Sequence, residues 1–194
     1  MIVTPGIPER DRARAAALYW HAFGSKLGLA MGPEPLAMAF IARVLRPDHA
    51  FSAHDRDGSL LGVVGFKTAE GALVGGDLGD MRAIYGLFGA GWRSLLLTML
   101  ERDADDARFL LDGIFVAPEA RGRGVGTLLL EAAAREAARR GYAEVRLDVI
   151  DSNPRARALY ERRGFHAVDD YNIGMLHHVF GFRSATTMVR RVMP

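Results

Sequence analysis

The chain has 194 residues, 49% hydrophobic and 25% charged, enough to build a full core in one domain, or in one domain with an insertion. It contains no cysteine, which excludes disulfides, thiolate metal sites and a cysteine nucleophile. The formal charge is only +2 and rests almost wholly on arginine, since Lys26 and Lys67 are the only lysines; that balance requires no nucleic-acid partner.

The first twenty residues lack an apolar core after a positive start, so no signal peptide is expected. The run "GLFGAGWRSLLLTML" is too short for a bilayer and holds Arg93, so the sequence reads as a cytoplasmic protein away from membranes. In chain order, Pro8 is expected in the first turn of a helix through "RARAAALYWHAFGSKLG", with Ala15, Leu18, Tyr19, Ala22 and Phe23 on one stripe. A second helix is expected after Pro35, in "LAMAFIARVL". "HAFSAHD" and "LLGVVGFKT" flank "RDGS", and Asp57-Gly58 between apolar runs signals a hairpin. Residues 70–107 combine a loop-like start with an apolar stretch, and predict a helical insertion broken near Gly89 and Gly91.

The pattern beyond is sharper. "FLLDGIFVA" predicts a strand, and "RGVGTLLLEAAAREAARRG" a helix with Val125, Leu128, Leu129 and Ala132 inward and Gly141 past its end. "AEVRLDVI" predicts a strand with Val145, Leu147 and Val149 on one face. "NPRARALYERRG" predicts another helix, "FHAV" a strand and "RSATTMVRRV" a last strand. Strand, helix and strand with a crossover of this length imply a right-handed parallel pair.

In "VAPEARGRGVGTLLL", three glycines alternate immediately before the best helix. A helix N-terminus carries unpartnered N–H groups and partial positive charge, and binds phosphate where no side chain blocks the approach. Gly122, Gly124 and Gly126 remove side chains there, while Arg121 and Arg123 add charge. No Gly-Lys-Ser/Thr follows, so this is no Walker loop, and strict alternation departs from the Rossmann G-x-G-x-x-G.

Arg121, Gly124 and Gly126, following the strand "GIFVAPEA", resemble the signature of the GNAT superfamily of acyl-CoA-dependent N-acetyltransferases. "LDVIDSNPRARALYERRGF" resembles that family's second motif, and the two together cover roughly residues 109–168. The resemblance implies a mixed α/β (α+β) fold, with a mostly antiparallel sheet, a central splayed parallel pair and flanking helices. It also implies acetyl-CoA as co-substrate. The N–H groups of Gly122, Arg123, Gly124, Val125, Gly126 and Thr127 would hold the pyrophosphate, and the backbone of Ile114, Phe115 and Val116 would pair with the pantetheine arm as an added strand. By the same resemblance, Asn153 contacts the pantetheine and Tyr160 protonates the departing thiolate. A phenol of ordinary pKa about 10 is protonated at neutral pH. Local physics offers both residues another role, Asn153 as N-cap before Pro154 and Tyr160 as the packing partner of Phe165 beyond Gly164.

Transfer to an amine needs a neutral nitrogen, so a base must take a proton from the ammonium. Asp148 and Asp112 are rival candidates, each with the alternative of an inert carboxylate on a sheet face. With no cysteine to form an acyl-enzyme, direct attack is expected. The resemblance places the acceptor, a small molecule or a protein amine, near Trp20, Phe23, Met31 and "YNIGMLHHVFGF". His177 and His178, adjacent on an expected strand, would face opposite ways and make a poor metal pair. The insertion is free to cover that pocket or to make a homodimer contact. Two other classes stay open. A non-catalytic acyl-CoA-binding domain has no need of Tyr160, and a nucleic-acid module rests on ten Arg against seven Asp and Glu between 117 and 165.

Overall fold

Apolar runs in the hairpin, alternation in "AEVRLDVI", and glycine or proline signals at the helix ends fold into one sheet with helices packed on it. The computed structural model describes residues 1–98 and 107–192. The strands are β1 (Ile2–Pro5), β2 (Ala50–His54), β3 (Leu60–Lys67), β4 (Phe109–Val116), β5 (Glu144–Ile150), β6 (His166–Asn172) and β7 (Ser184–Arg191). The helices are α1 (Arg12–Met31), α2 (Glu34–Val44), α3 (Leu78–Thr98), α4 (Val125–Arg139), α5 (Pro154–Arg162) and α6 (His177–Phe180). Sheet order is β1-β2-β3-β4-β5-β7-β6, antiparallel everywhere except the β4–β5 pair. This is the mixed, mostly antiparallel sheet expected from the motifs.

The strand–helix–strand–helix run from β4 to α5 forms as its local signals dictate. Val145, Leu147 and Val149 are all buried. Helix α5 ends in a Schellman motif, with Phe165 N–H donating to the Tyr160 carbonyl at 3.0 Å and Gly164 N–H to that of Glu161 at 3.0 Å. In α4 the buried stripe runs through Val125, Leu129, Ala133 and Ala137, whereas Leu128 is 39% exposed. The expectation for Leu128 fails because the stripe follows i, i+4, i+8, which leaves position i+3 at its rim.

Other differences are non-local in origin. Strand β1 was not foreseen; it is a short edge strand held by its backbone register on β2, from Ile2 opposite His54 to Pro5 opposite Phe51. Pro8 does not enter the helix itself but precedes a 3-10 turn, Glu9–Asp11, that leads into α1. His177 and His178 stand on a helix rather than a strand, with ring centroids 3.8 Å apart. The break in the apolar stretch falls at Gly86, at φ 71°, and not at Gly89 or Gly91. The part of the expected insertion from 99 to 106 lies outside the described residues. Among the described residues, no single helix is long and apolar enough to cross a membrane.

The described part of the insertion docks on the main sheet. Leu73 is fully buried, and a Cβ added at Gly65 would lie 2.5 Å from its Cδ2, so β3 needs glycine where Leu73 crosses it. Arg46 N–H donates to the Leu73 carbonyl at 2.8 Å. Helix α3 is tied to the end of α1: the Tyr85 hydroxyl donates to the Met31 carbonyl at 2.6 Å, and Arg93 to that of Gly32 at 2.9 Å. If this segment belongs to the core, Leu73→Ala should cost about 2–5 kcal/mol. Urea unfolding checks this; a loss under about 0.5 kcal/mol would mean a dispensable flap.

Candidate active site

The β4–β5 ladder holds only two residue pairs, Phe109 opposite Val145 and Leu110 opposite Arg146. Beyond Leu110, β4 stays on β3 as far as Val116, while β5 stays on β7 as far as Ile150. The two strands therefore diverge and leave a wedge open between them. The N–H of Ala117 donates to the Leu61 carbonyl of the β3 side at 2.8 Å. Strand alternation then commits the backbone of Phe115 to β3 and turns that of Ile114 and Val116 into the wedge. Of the three residues expected on the open edge, two offer their backbone groups and Phe115 does not.

The mouth of the wedge is closed by the start of α4. Gly124 is the N-cap at φ 83°, with no side-chain cap. Gly122 has φ 78°, and a Cβ built at either glycine would meet nothing within 4 Å. Among the described residues, the N–H groups of Gly122, Gly124, Val125, Gly126 and Thr127 have no protein partner. This bare, positively polarised backbone fits a pyrophosphate. Gly126 serves packing as well, since its Cβ would lie 3.1 Å from Leu159 Cδ2 of α5. Arg121 is exposed, whereas Arg123 is held by Asp55 of the β2–β3 turn at 2.7 Å. That ion pair, which also holds the Asp55 carboxyl below its ordinary range, was not legible in the sequence.

Helix α5 carries Asn153 and Tyr160. Asn153 caps the helix, its Oδ1 accepting from Ala156 N–H at 3.2 Å, so the capping role expected of it is real. Tyr160 is buried with its ring 5.9 Å from that of Phe165, and its hydroxyl meets no partner among the described residues. Burial pushes the phenol far above its ordinary pKa.

The two candidate bases differ. Both oxygens of Asp148 are engaged, one by the Thr187 hydroxyl at 2.6 Å and the other by Arg146 at 3.3 Å. Asp112 is the extra residue of a β-bulge, between Leu111 opposite Phe66 and Gly113 opposite Gly65. The bulge changes the phase of the strand. Phe109 packs on Tyr142 and Phe66 beside Arg140 at the end of α4, but Phe115, six residues on, packs on Tyr19 and Phe23 of α1. Asp112 therefore stands on the α1 side of the sheet, where Gly113 lies so close to Phe23 that a Cβ would come within 2.9 Å of its ring. Its side chain is exposed at the strand surface, although protein atoms crowd round the carboxyl group. Burial raises the Asp112 carboxyl above its ordinary pKa, outweighing the Val74 N–H at 3.3 Å and nearby Lys67.

Tyr19 was placed in the sequence only on a helical stripe. It adjoins Asp112, and its phenol is pushed up first by burial and then by that carboxylate. Of the residues expected around the acceptor, Phe23 packs on Tyr19 and Phe115 beside Gly113. Met31 is core, and Trp20 lines a groove of 590 Å³ with Met38 and Pro118.

A seven-stranded mixed sheet with one splayed parallel pair, opening onto a glycine-capped helix, defines an acyltransferase-like α/β fold. The model of the Acetyltransferase (GNAT) family matches residues 13–165, and the chain belongs to that family. It is 41% identical over 54 residues to the thialysine N-epsilon-acetyltransferase of Bos taurus, a match spanning 28% of this chain and 32% of that protein. Among solved structures it resembles an acetyltransferase with TM-score 0.67, 20% identity and 100% of both chains covered. It also resembles an N-acetyltransferase from Staphylococcus aureus with TM-score 0.70 and 16% identity, covering 97% of this chain and 100% of that one.

The raised Asp112 carboxyl has a stability consequence. Because its folded pKa exceeds the unfolded value, its favourable contribution is full below the unfolded pKa and is lost as pH rises through the folded one. Asp112→Asn should therefore be more stable than the parent protein at about pH 8, with the gap closing toward about pH 4. Urea titrations at both pH values check this; a gap that stays constant or widens on acidification contradicts it.

Proposed function

We propose that the protein moves an acetyl group from acetyl-CoA to a primary amine by direct attack within a ternary complex, the whole chain acting as one acetyltransferase domain. The observation that carries this is the open β4 edge running into the unpartnered N–H groups at the start of α4. A long ligand with amides at one end and phosphates at the other matches both parts. In this reading the N–H groups of Gly122 and of Gly124 to Thr127 take the pyrophosphate, that of Arg123 being bonded to the Ala120 carbonyl, Arg121 adds charge, and Ile114 and Val116 pair with the pantetheine. Asn153 contributes its free side-chain N–H groups while its oxygen keeps the helix cap.

Asp112 is the better base. Its carboxylate stands beside β4, its pKa is raised toward that of the proton it must take, and among the described residues it is held by backbone N–H groups of Val74 and Leu73 and by no side chain. Asp148 is already saturated by Thr187 and Arg146 and acts as a positioning group for the strand pair. The ammonium loses a proton to Asp112, its nitrogen attacks the thioester carbon, the nitrogen's second proton passes to water, and the C–S bond breaks to release the thiolate. A thiol has an ordinary pKa of about 8.5, so a phenol raised above its usual value does not readily give the thiolate its proton. Tyr160 instead donates a hydrogen bond that stabilises the departing thiolate, which takes its proton from water.

Acetyl-CoA at a hundredfold excess over its Kd should stabilise the fold by about 2.7 kcal/mol. Gly124→Glu, which puts a carboxylate into the bare N-terminus, should abolish that gain. Thermal melts check both, and no shift with the parent protein would overturn the donor assignment. Tyr160→Phe should keep acetyl-CoA binding and lower kcat about 10- to 100-fold, the worth of one hydrogen bond to a charge. Unchanged kcat would reduce Tyr160 to its packing role, and unchanged binding with no turnover in the parent protein over an amine library would favour an acyl-CoA-binding domain.

A further inference from the structure

We infer that the acceptor is an amine that also carries a carboxylate, lying along α1 with its amine at Asp112 and its carboxylate on Lys26. The inference rests on the acetyltransferase reading of the same site and adds the acceptor's chemical class. Tyr19, Phe23 and Lys26 stand at i, i+4 and i+7 of α1 and so share one stripe. The stripe faces β4: Tyr19 adjoins Asp112, Phe23 lies against Gly113, and both rings contact Phe115. Seven residues of helix set the two ends about 10 Å apart along the axis.

Lys26 has no carboxylate or carbonyl partner among the described residues, whereas Arg12, Arg14, Arg43 and Arg93 each have one. Its ammonium lies 5.2 Å from the Phe23 ring centroid, and the side chain is half-buried. Burial accordingly lowers its pKa. A cation partly withdrawn from water beside an aromatic face gains most from an incoming anion, because its desolvation has already been met in the fold. This stretch of α1 and β4 thus has a negative end, aromatic rings between and a positive end. That pattern complements a zwitterion laid lengthwise, and it places like charge against the far end of a diamine.

The test uses three amines of equal chain length: 6-aminohexanoate, hexylamine and 1,6-diaminohexane. The full chain should acetylate 6-aminohexanoate with kcat/KM at least about 10-fold above the diamine, hexylamine falling between. Lys26→Met should bring the ratio near one, mostly through KM. Lys26→Arg should keep the preference, and Lys26→Glu should reverse it in favour of the diamine. A ratio near one in the parent protein, or one that Lys26→Glu leaves unmoved, overturns the inference. Binding provides an arm independent of turnover: with CoA present, 6-aminohexanoate should raise the melting temperature of the parent protein and not that of Lys26→Glu. If that difference is seen but none of the amines is acetylated, the acceptor class stands and the acetyltransferase reading fails. Efficient acetylation without discrimination means the reverse.

Discussion

The structure depends on one constraint, that β4 and β5 stop pairing after Leu110. Backbone N–H and C=O groups in the middle of a sheet ordinarily find partners, and leaving them bare costs free energy. Here each strand is held on its other side, β4 by β3 and β5 by β7, so the wedge between them survives without collapse. Helix α4 starts at the mouth of this wedge with further bare N–H groups. The fold maintains unpaired backbone groups along a line from Ile114 to the first turn of α4, which the proposed donor, with amides at one end and phosphates at the other, would satisfy.

A second constraint lies within β4. An odd residue inserted at Asp112 reverses which face the later residues address, so that Phe115 meets α1 while Ile114 meets the start of α4. Without the bulge Phe115 would share the face of Phe109, and the rings of Tyr19 and Phe23 would lose their contact with it. Asp112 bears a cost in stability, since burial opposes its ionised form.

What was legible in the sequence follows the range of the forces involved. The elements from β4 to α5 are set by local signals: Pro154 at a first helical position, Asn153 as cap, and Gly141 and Gly164 as terminators. The donor motif lies wholly inside that span. The bulge is invisible locally, because Asp112 looks like any residue of "FLLDGIFVA" until its pairing with β3 is known. The same holds for β1, for the Asp55–Arg123 ion pair across two turns, and for Leu73 crossing Gly65, each joining distant parts of the chain. Tyr19 and Phe23 were visible as an inward stripe, but their proximity to Asp112 was not. One residue changed meaning, Phe115, which turned its backbone to β3, while burial of Tyr160 raises its phenol above the ordinary pKa.

The central claim is that bare backbone on β4 and at the start of α4 receives the donor. Amide hydrogen exchange reads that backbone directly. Saturating acetyl-CoA should slow exchange at Ile114, Val116 and the amides of Gly122 and of Gly124 to Thr127, and leave Phe115, already committed to β3, nearly unchanged. Protection confined to other segments, or none in these two, would contradict the account.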